Sequence, residues 1–188
     1  MTIRYKKCFT CGVLDVAKII YGYPTAETFK EQEKGKIKLG GCVISEDNPQ
    51  YHCNKCGGNW TVDEAIDAAY NKIIGLRASV GGYFEGYYDV TIHFQDRKLT
   101  WNYSLEGDSL EKELSDTDIT TFMNGLKMVE LLNWKRRYEE PEVLDGTQWE
   151  IEIIREKRNL KRSGSNKFPT EWDDFCASIR KISGEKFR

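Results

Sequence analysis

Two copies of the pattern Cys-x-x-Cys-Gly limit this chain's fold more than any other part of its sequence. They occupy residues 8–12 (CFTCG) and 53–57 (CNKCG). Two cysteines separated by two residues can direct both sulfurs at one tetrahedral metal ion, and the glycine that follows relieves crowding where the backbone turns. The sequence therefore predicts a closed four-sulfur site that holds one structural zinc ion per chain, with the ligands Cys8, Cys11, Cys53 and Cys56.

Other interpretations of these cysteines were weighed against zinc. A single Cys-x-x-Cys pair would be compatible with a redox dithiol or with unrelated free thiols, but two pairs that are each followed by glycine favour a metal. Iron also suits a cage of four thiolates, although zinc is its commoner occupant. Cys42 lies outside both motifs, and we interpret it as a small buried apolar residue rather than a spare ligand or a reactive thiol.

The overall composition excludes several classes of protein. The 188 residues carry a formal net charge of -2, so no global field attracts the chain to nucleic acid or to an anionic membrane. Hydrophobic residues make up 39%, which is enough for a packed core. No apolar run approaches the ~18 residues of a membrane span, and we expect no signal peptide, because no apolar stretch follows the basic residues at the start of the sequence. We therefore expect a cytoplasmic protein, whose reducing compartment keeps the thiols available for metal.

The segment between the two cysteine pairs is unusually long. It contains 41 residues, whereas about 15–20 are usual for this spacing pattern. The segment must therefore fold on itself. Its pattern predicts a strand near Ile19 and Ile20, a short helix over 25–35, and a returning strand over 37–44. We accordingly predict that residues 1–60 form a zinc ribbon with an inserted helix.

Residues 61–76 are predicted to be a helical connector. Thr61 and Glu64 form a capping box, in which each side chain accepts a hydrogen bond from the other residue's backbone amide. Apolar residues then recur at helical spacing as far as Ile73, and Gly75 can adopt the left-handed conformation that ends a helix.

Residues 77–188 are predicted to form one α+β domain. Alternating apolar residues indicate a hairpin over 88–105 and two further strands around Ile151 and Leu160. One helix is predicted to start at Ser115 and Asp118, and another at Thr170. The order strands, helix, strands, helix is typical of an antiparallel sheet covered on one face by two helices. The predicted fold class of the whole chain is therefore α+β.

Several motifs resemble those of known modules. Beside the cysteine pairs stand Tyr21-Gly22-Tyr23-Pro24, Leu39-Gly40-Gly41-Cys42 and a closing Trp60, and this segment resembles a zinc-ribbon module of uncharacterised bacterial proteins. The second region resembles another uncharacterised bacterial α+β module through Trp134-x-x-x-Tyr138, Asp145-Gly146-Thr147-x-Trp149 and Gly164-Ser165-Asn166-x-Phe168-Pro169. The resemblance implies a fold and a metal, but no reaction or ligand.

The polar residues of the second set of motifs are interpreted as turn residues, because Asp, Asn, Ser and Gly are the residues that turns favour. The alternative is a small pocket framed by Trp134, Tyr138, Asp145, Trp149, Ser165 and Asn166.

Three classes of function follow from these patterns. The closed metal site and the lack of a phosphate-binding glycine loop, a nucleophile elbow or an HExxH motif favour a non-enzymatic interaction module with a protein partner. An enzyme with its site on the C-terminal domain is an alternative, with acid/base candidates among Glu106, Asp108, Glu111, Glu113, Asp116 and Asp118. Those carboxylates fit better as a solvated loop and the N-terminus of a helix, where negative charge is favourable.

Nucleic-acid binding is the other alternative, because zinc ribbons often serve it. Basic residues crowd one hairpin, and the candidate contacts are Arg155, Arg158, Lys161, Arg162 and Lys167. The acidic net charge of the chain argues against this interpretation.

Overall fold

The computed structural model describes residues 3, 5–140 and 146–188. These residues divide into two compact units, an N-terminal unit (Ile3–Ala69) and a C-terminal unit (Tyr70–Arg188). The described residues contain four α-helices, a four-stranded sheet and a seven-stranded sheet. The predicted α+β class is confirmed.

The N-terminal unit contains the four-stranded sheet, in the order β2-β1-β3-β4. Helix α1 (Ala26–Glu33) connects β1 to β2 and lets these two strands run parallel, whereas the other neighbours are antiparallel. The side chain of Thr25 caps α1 by accepting a hydrogen bond from the amide of Thr28. The inserted helix is therefore confirmed. The strands are β1 (Val16–Ile20), β2 (Ile37–Leu39), β3 (Tyr51–Cys53) and β4 (Asn59–Trp60).

The strand predicted over 37–44 is shorter than expected. It ends at Leu39, and Val43 and Ile44 lie exposed in the loop that follows. Apolar character alone suggested a strand at these two positions, but they have no partner strand in this unit.

The predicted helix over 61–76 is also shorter than expected. Helix α2 (Val62–Tyr70) ends five residues before Gly75, and the chain then enters β5 (Ile73–Gly82). Gly75 pairs with His93 across the sheet, and a Cβ atom on Gly75 would lie 2.6 Å from the Ile92 carbonyl oxygen. This glycine permits a close approach of two strands, and it does not end a helix.

The C-terminal unit contains the seven-stranded sheet, in the order β8-β7-β6-β5-β10-β11-β9. Its remaining strands are β6 (Gly86–His93), β7 (Lys98–Tyr103), β8 (Asp108–Glu113), β9 (Arg137–Glu139), β10 (Gln148–Arg155) and β11 (Leu160–Ser165). All neighbours are antiparallel except β9 and β11, which are parallel. The sheet that the sequence predicted as antiparallel is therefore mixed at one edge.

One face of this sheet is buried beneath helices α3 (Asp116–Met128) and α4 (Trp172–Ser183). Alternate strand residues form the buried face: Leu76, Ala78, Val80, Val90, Ile92, Leu99, Trp101, Trp149, Ile151 and Ile153. Phe122 of α3 and Trp172 of α4 pack against it, since their rings contact Phe94 and Trp149 at centroid distances of 6.2 and 4.7 Å. The opposite face, called here the open face, carries mostly polar side chains.

The two helices differ in how closely they match the sequence-based prediction. The predicted helix start at Ser115 and Asp118 is confirmed, and these two residues form a capping box at the start of α3. Helix α4 begins at Trp172 rather than at Thr170, and its N-cap residue Glu171 makes no side-chain capping bond. Its predicted end is confirmed, because Gly184 follows the helix with a φ of 83°.

Candidate metal centre

The two cysteine pairs adopt the same local geometry. In each pair the amide of the second cysteine points at the sulfur of the first, with N···Sγ distances of 3.5 Å for both Cys11 to Cys8 and Cys56 to Cys53. The glycine that follows each pair has a left-handed backbone, with φ values of 76° for Gly12 and 77° for Gly57. A side chain at either position would be strained there, which explains the glycine in the pattern.

The four sulfur atoms converge on one point. Cys8 Sγ lies 3.6 Å from Cys56 Sγ, and Cys11 Sγ lies 3.5 Å from Cys53 Sγ. All four sulfurs lie within 4.8 Å of one another. The predicted ligands are therefore brought together, and this cluster could hold a metal ion.

The thiols of the cluster differ in pKa. Burial raises the pKa of the Cys8 thiol, but backbone amides, that of Cys11 foremost, outweigh burial and lower the pKa to about 6. The Cys56 amide likewise lowers the pKa of Cys53. For Cys11 the amide of Val13 lowers the pKa, yet burial and the neighbouring sulfurs raise it to about 12. The cluster therefore retains protons that a bound cation would displace.

Aromatic side chains and one asparagine support the two pairs. Trp60 is 1% exposed, its ring contacts Phe9 at 5.8 Å and Tyr51 at 5.9 Å, and its Nε1 donates a hydrogen bond to the Tyr5 carbonyl oxygen at 3.0 Å. This packing explains why a tryptophan follows the second cysteine pair.

Asn54 is a supporting residue that the sequence analysis missed. Its Nδ2 donates hydrogen bonds to Asp15 Oδ1 at 2.7 Å and to the Gly35 carbonyl oxygen at 2.9 Å. These bonds tie the second cysteine pair to the segment inserted between the pairs. The position of Asn54 inside Cys-x-x-Cys was the only sequence signal, and it did not reveal these partners.

The remaining cysteines and His52 lie outside the cluster. Cys42 is exposed, so its interpretation as a buried apolar residue is wrong. Cys176 is buried in α4, where burial raises the pKa of its thiol to about 12. The ring of His52 contacts Asn59 and Lys38, with Nδ1 at 2.6 Å from Asn59 Oδ1 and 3.1 Å from Lys38 Nζ.

The basic hairpin presents fewer cations than the sequence suggested. Arg162 is 3% exposed, and its guanidinium donates hydrogen bonds to the carbonyl oxygens of Lys161 and Leu132. Alternation along β11 explains this, because Arg162 shares the buried face with Leu160, whereas Lys161 points to the open face. Arg162 is therefore not part of an exposed basic surface.

The other four basic residues differ in their exposure and in their hydrogen-bond and ion-pair partners. Lys161 and Lys167 pair with Glu150 and Glu140 at 3.0 and 3.8 Å. Arg155 is half-buried, and its Nε donates a hydrogen bond to the carbonyl oxygen of Arg158, one of the exposed residues of the hairpin turn.

Two of the three aromatic residues of the suggested pocket, Trp134 and Trp149, lie in the core, whereas Tyr138 is half-buried. Trp134 and Trp149 are 4% and 3% exposed, and their rings contact Trp172 at 6.2 and 4.7 Å. The hydroxyl of Tyr138 accepts a hydrogen bond from the Lys135 amide at 3.0 Å. Asp145 lies outside the described residues.

Of the polar residues of that suggested pocket, Asn166 joins turns, whereas Ser165 borders a surface depression. Asn166 Oδ1 accepts a hydrogen bond from the Thr147 amide at 2.8 Å, and Asn166 has a left-handed φ of 55°. The hydroxyl of Ser165 accepts a hydrogen bond from Gln148 at 2.8 Å. Asn166 thus joins two turns, and Ser165 lies at the end of β11.

The acidic segment forms an edge strand and a helix start. Asp108, Glu111 and Glu113 lie on β8, where Glu111 pairs with Lys98 at 2.9 Å. Hydrogen bonds from Ser115 lower the pKa of the Asp118 carboxyl, which caps α3. The expected solvated loop is therefore largely a strand.

Comparison with known proteins found no matching family model and no matching curated protein. No helix in the described part of the chain is long and apolar enough to cross a membrane.

Proposed function

We propose that this chain is a zinc-binding protein with a zinc-ribbon N-terminal unit and a non-enzymatic role in binding a protein partner. The cluster of four sulfurs is the main observation in support of a zinc site. A Zn–S distance of ~2.3 Å in a tetrahedron corresponds to a sulfur–sulfur separation of ~3.8 Å. The separations of 3.6 and 3.5 Å across the two pairs are close to that value. The resemblance to bacterial zinc ribbons supports the same choice of metal.

The bound zinc would stabilise the fold of the N-terminal unit. When zinc is bound it crosslinks two distant segments and supplies on the order of 10 kcal/mol of folding free energy to a small unit. The four cysteines leave no coordination position for a substrate, which is typical of structural sites. A cytoplasmic compartment is part of the proposal, because it keeps the four thiols reduced.

An exposed apolar loop supports the role in partner binding. Val43 and Ile44 are 80% and 74% exposed. Asn48 fixes this loop, because its Nδ2 donates a hydrogen bond to the Val43 carbonyl oxygen at 2.9 Å and its amide donates one to the Ser45 carbonyl oxygen at 3.2 Å. Adjacent apolar side chains held in solvent often mark sites of interaction.

Metal analysis tests the first part of the proposal. Freshly purified protein should contain about one zinc per chain, with X-ray absorption showing four sulfur ligands at ~2.3 Å. Cys53→Ser should lose most of this zinc, whereas Cys42→Ser should retain it, since Cys42 is exposed and outside the cluster. Wild-type protein without metal, or equal zinc contents in the two variants, would refute the proposal.

Site-directed photo-crosslinking in cells tests the second part. A crosslinking residue at Ile44 should yield a discrete adduct with a protein partner, and one at Lys30, an exposed position of α1, should not. The adduct should disappear in the Val43→Ser background. Adducts of equal yield from both positions would contradict a specific role for the loop.

A further inference from the structure

The open face of the C-terminal sheet contains a depression of about 250 Å³. Its floor is formed partly by the small side chains of Ser79, Ser163 and Ser165. Gly81 lies between Tyr87 and Gln148 in the sheet register and places no side chain between them. A Cβ atom on Gly81 would collide with the Gly86 carbonyl oxygen, so the close approach of β5 and β6 keeps this position free of a side chain.

Hydrogen-bonding groups line the depression. The hydroxyls of the three serines, the amide of Gln148 and the carboxylates of Glu139 and Glu150 all border it. Gln148 Nε2 already donates to Ser165 Oγ at 2.8 Å, which orients the amide. A carboxylate has about four lone-pair sites, so each glutamate can accept further hydrogen bonds. The lining therefore offers both donors and acceptors over a short distance.

Two cations that do not border the depression balance the charge of its two carboxylates. Glu150 pairs with Lys161 at 3.0 Å, and Glu139 pairs with Arg137 at 3.8 Å. Because these two cations balance the negative charge of the two carboxylates, the depression has no excess negative charge that would attract a cation. An anion such as phosphate is not attracted either, because neither of the two cations borders the depression. The electrostatics consequently favour a neutral, polar ligand.

Aromatic rings lie at the same end of the sheet. Tyr87 borders the depression. The turn that follows Gly82 carries Tyr83 and Phe84, which are 90% and 82% exposed. Aromatic rings present large rigid faces at low entropic cost, and such a face can pack against the C–H groups of a sugar ring.

We infer that this depression binds a neutral saccharide unit. Its volume lies below the ~300–1,000 Å³ of sites for drug-sized ligands, so it suits one sugar ring of a glycan. The serine hydroxyls, Gln148 and the glutamates would bind the sugar hydroxyls, and Tyr87 would pack against its C–H face. The site lies wholly in the C-terminal unit and does not depend on the zinc proposal.

Titrations of the full-length, metal-loaded protein followed by amide chemical shifts test this inference. The probes are the methyl glycosides of glucose, galactose, mannose and N-acetylglucosamine, with inorganic phosphate and methylammonium as charged comparisons. At least one glycoside should shift the amides of Ser79, Tyr87, Glu150 and Ser163 in a saturable manner, with a Kd of about 1 mM or tighter.

Two variants that fill the depression, Ser163→Leu and Ser79→Leu, should weaken this binding at least about tenfold. Thr100→Leu is the matched control, because Thr100 is on the open face and does not border the depression. It should bind like the wild type, and the amide spectrum of each variant reports its folding independently. The inference would be overturned if no glycoside gave saturable shifts, if both filled variants still bound, or if a charged probe bound instead.

Discussion

Replacing Phe187 with alanine should destabilise the C-terminal unit strongly, although the residue lies outside every helix and strand. Phe187 is 0% exposed, and its ring lies 6.4 Å from the ring of Phe175. The preceding residue is also fixed, since the Lys186 carbonyl oxygen accepts a hydrogen bond from Trp101 Nε1 at 2.7 Å. Phe187 therefore belongs to the core, and the backbone beside it is fixed. Phe84, which is 82% exposed in a turn of the same unit, offers a matched comparison.

The magnitude follows from burial. Removing a buried phenylalanine side chain costs ~3–5 kcal/mol, through lost transfer free energy and the cavity that remains. A domain of this size is stable by only ~5–15 kcal/mol, so Phe187→Ala should remove about a fifth of the unfolding free energy or more. Surface substitutions usually change stability by no more than ~0.5 kcal/mol, which is the expectation for Phe84→Ala.

Urea unfolding of the zinc-loaded protein measures the difference. Four of the five tryptophans belong to the C-terminal unit, so tryptophan fluorescence reports mainly on that unit. With a denaturant slope of ~2 kcal/mol per M, Phe187→Ala should lower the midpoint by about 1.5–2.5 M, and Phe84→Ala should barely change it. Equal midpoints for the two variants would refute the assignment of Phe187 to the core.

Three further outcomes are expected. Arg162→Leu should cost ~1–3 kcal/mol in the same assay, because it leaves the buried Leu132 carbonyl oxygen without this donor, whereas exposed Lys161→Leu should cost ~0–1. Hydrogen bonds from Ser115 lower the pKa of the Asp118 carboxyl in the folded state. The ionised carboxylate therefore stabilises the fold at pH values above its unfolded pKa of ~4. Melting temperatures of Asp118→Ala and wild type should therefore converge as pH falls through the lower folded pKa. Duplex DNA should bind no tighter than ~10⁻⁴–10⁻⁶ M at physiological salt, and Arg158→Gln should lower the salt slope by at most ~0.9; a sub-micromolar complex would contradict this.

The metal cluster was predictable because its geometry is almost entirely local. Within each pair the spacing and the following glycine set the turn, and the sulfurs and amides then meet over three residues. Which two pairs share one cluster could also be inferred, since the chain contains only two such patterns. Asn54, by contrast, contacts residues 39 and 19 positions away, and no local pattern encodes those contacts.

Alternation predicted the strands β6, β7, β10 and β11, but it did not predict the edge strands β8 and β9 or the central strand β5. Val90, Ile92, Ile151 and Ile153 alternate with polar residues and are buried as expected. Strand β8 carries one apolar residue, Leu110, and joins the sheet through backbone hydrogen bonds that any sequence can make. The charge of Arg162 predicted an exposed side chain, but its position in the alternation along β11 places it on the buried face.

The dependence of each unit on metal follows from the size of its core. In the N-terminal unit the buried cluster around the metal site consists of Cys8, Cys53, Trp60 and Ala65, and two of these four are ligands. Helix α1 buries none of its residues. Ala17 and Ile19 are the other buried apolar residues in the described part of this unit. So small an apolar core gives little stability by itself, and scaffolds below ~70–80 residues often depend on a metal or another crosslink. The C-terminal unit has a buried sheet face and two amphipathic helices of its own.

Chelation should therefore unfold the N-terminal unit and leave the C-terminal sheet intact. Amide spectra recorded before and after addition of a strong zinc chelator provide the measurement. The resonance of Trp60 Nε1 should collapse to its unfolded position, because its hydrogen bond to Tyr5 and its ring contacts depend on the metal cluster. The Nε1 resonances of Trp101, Trp134 and Trp149, which donate to backbone carbonyl oxygens within the C-terminal unit, should keep their positions. Adding zinc back should restore the Trp60 Nε1 resonance to its folded position. Loss of all the indole signals in one transition would mean that the two units do not fold independently, and a Trp60 signal unaffected by chelation would mean that the apolar contacts suffice without metal.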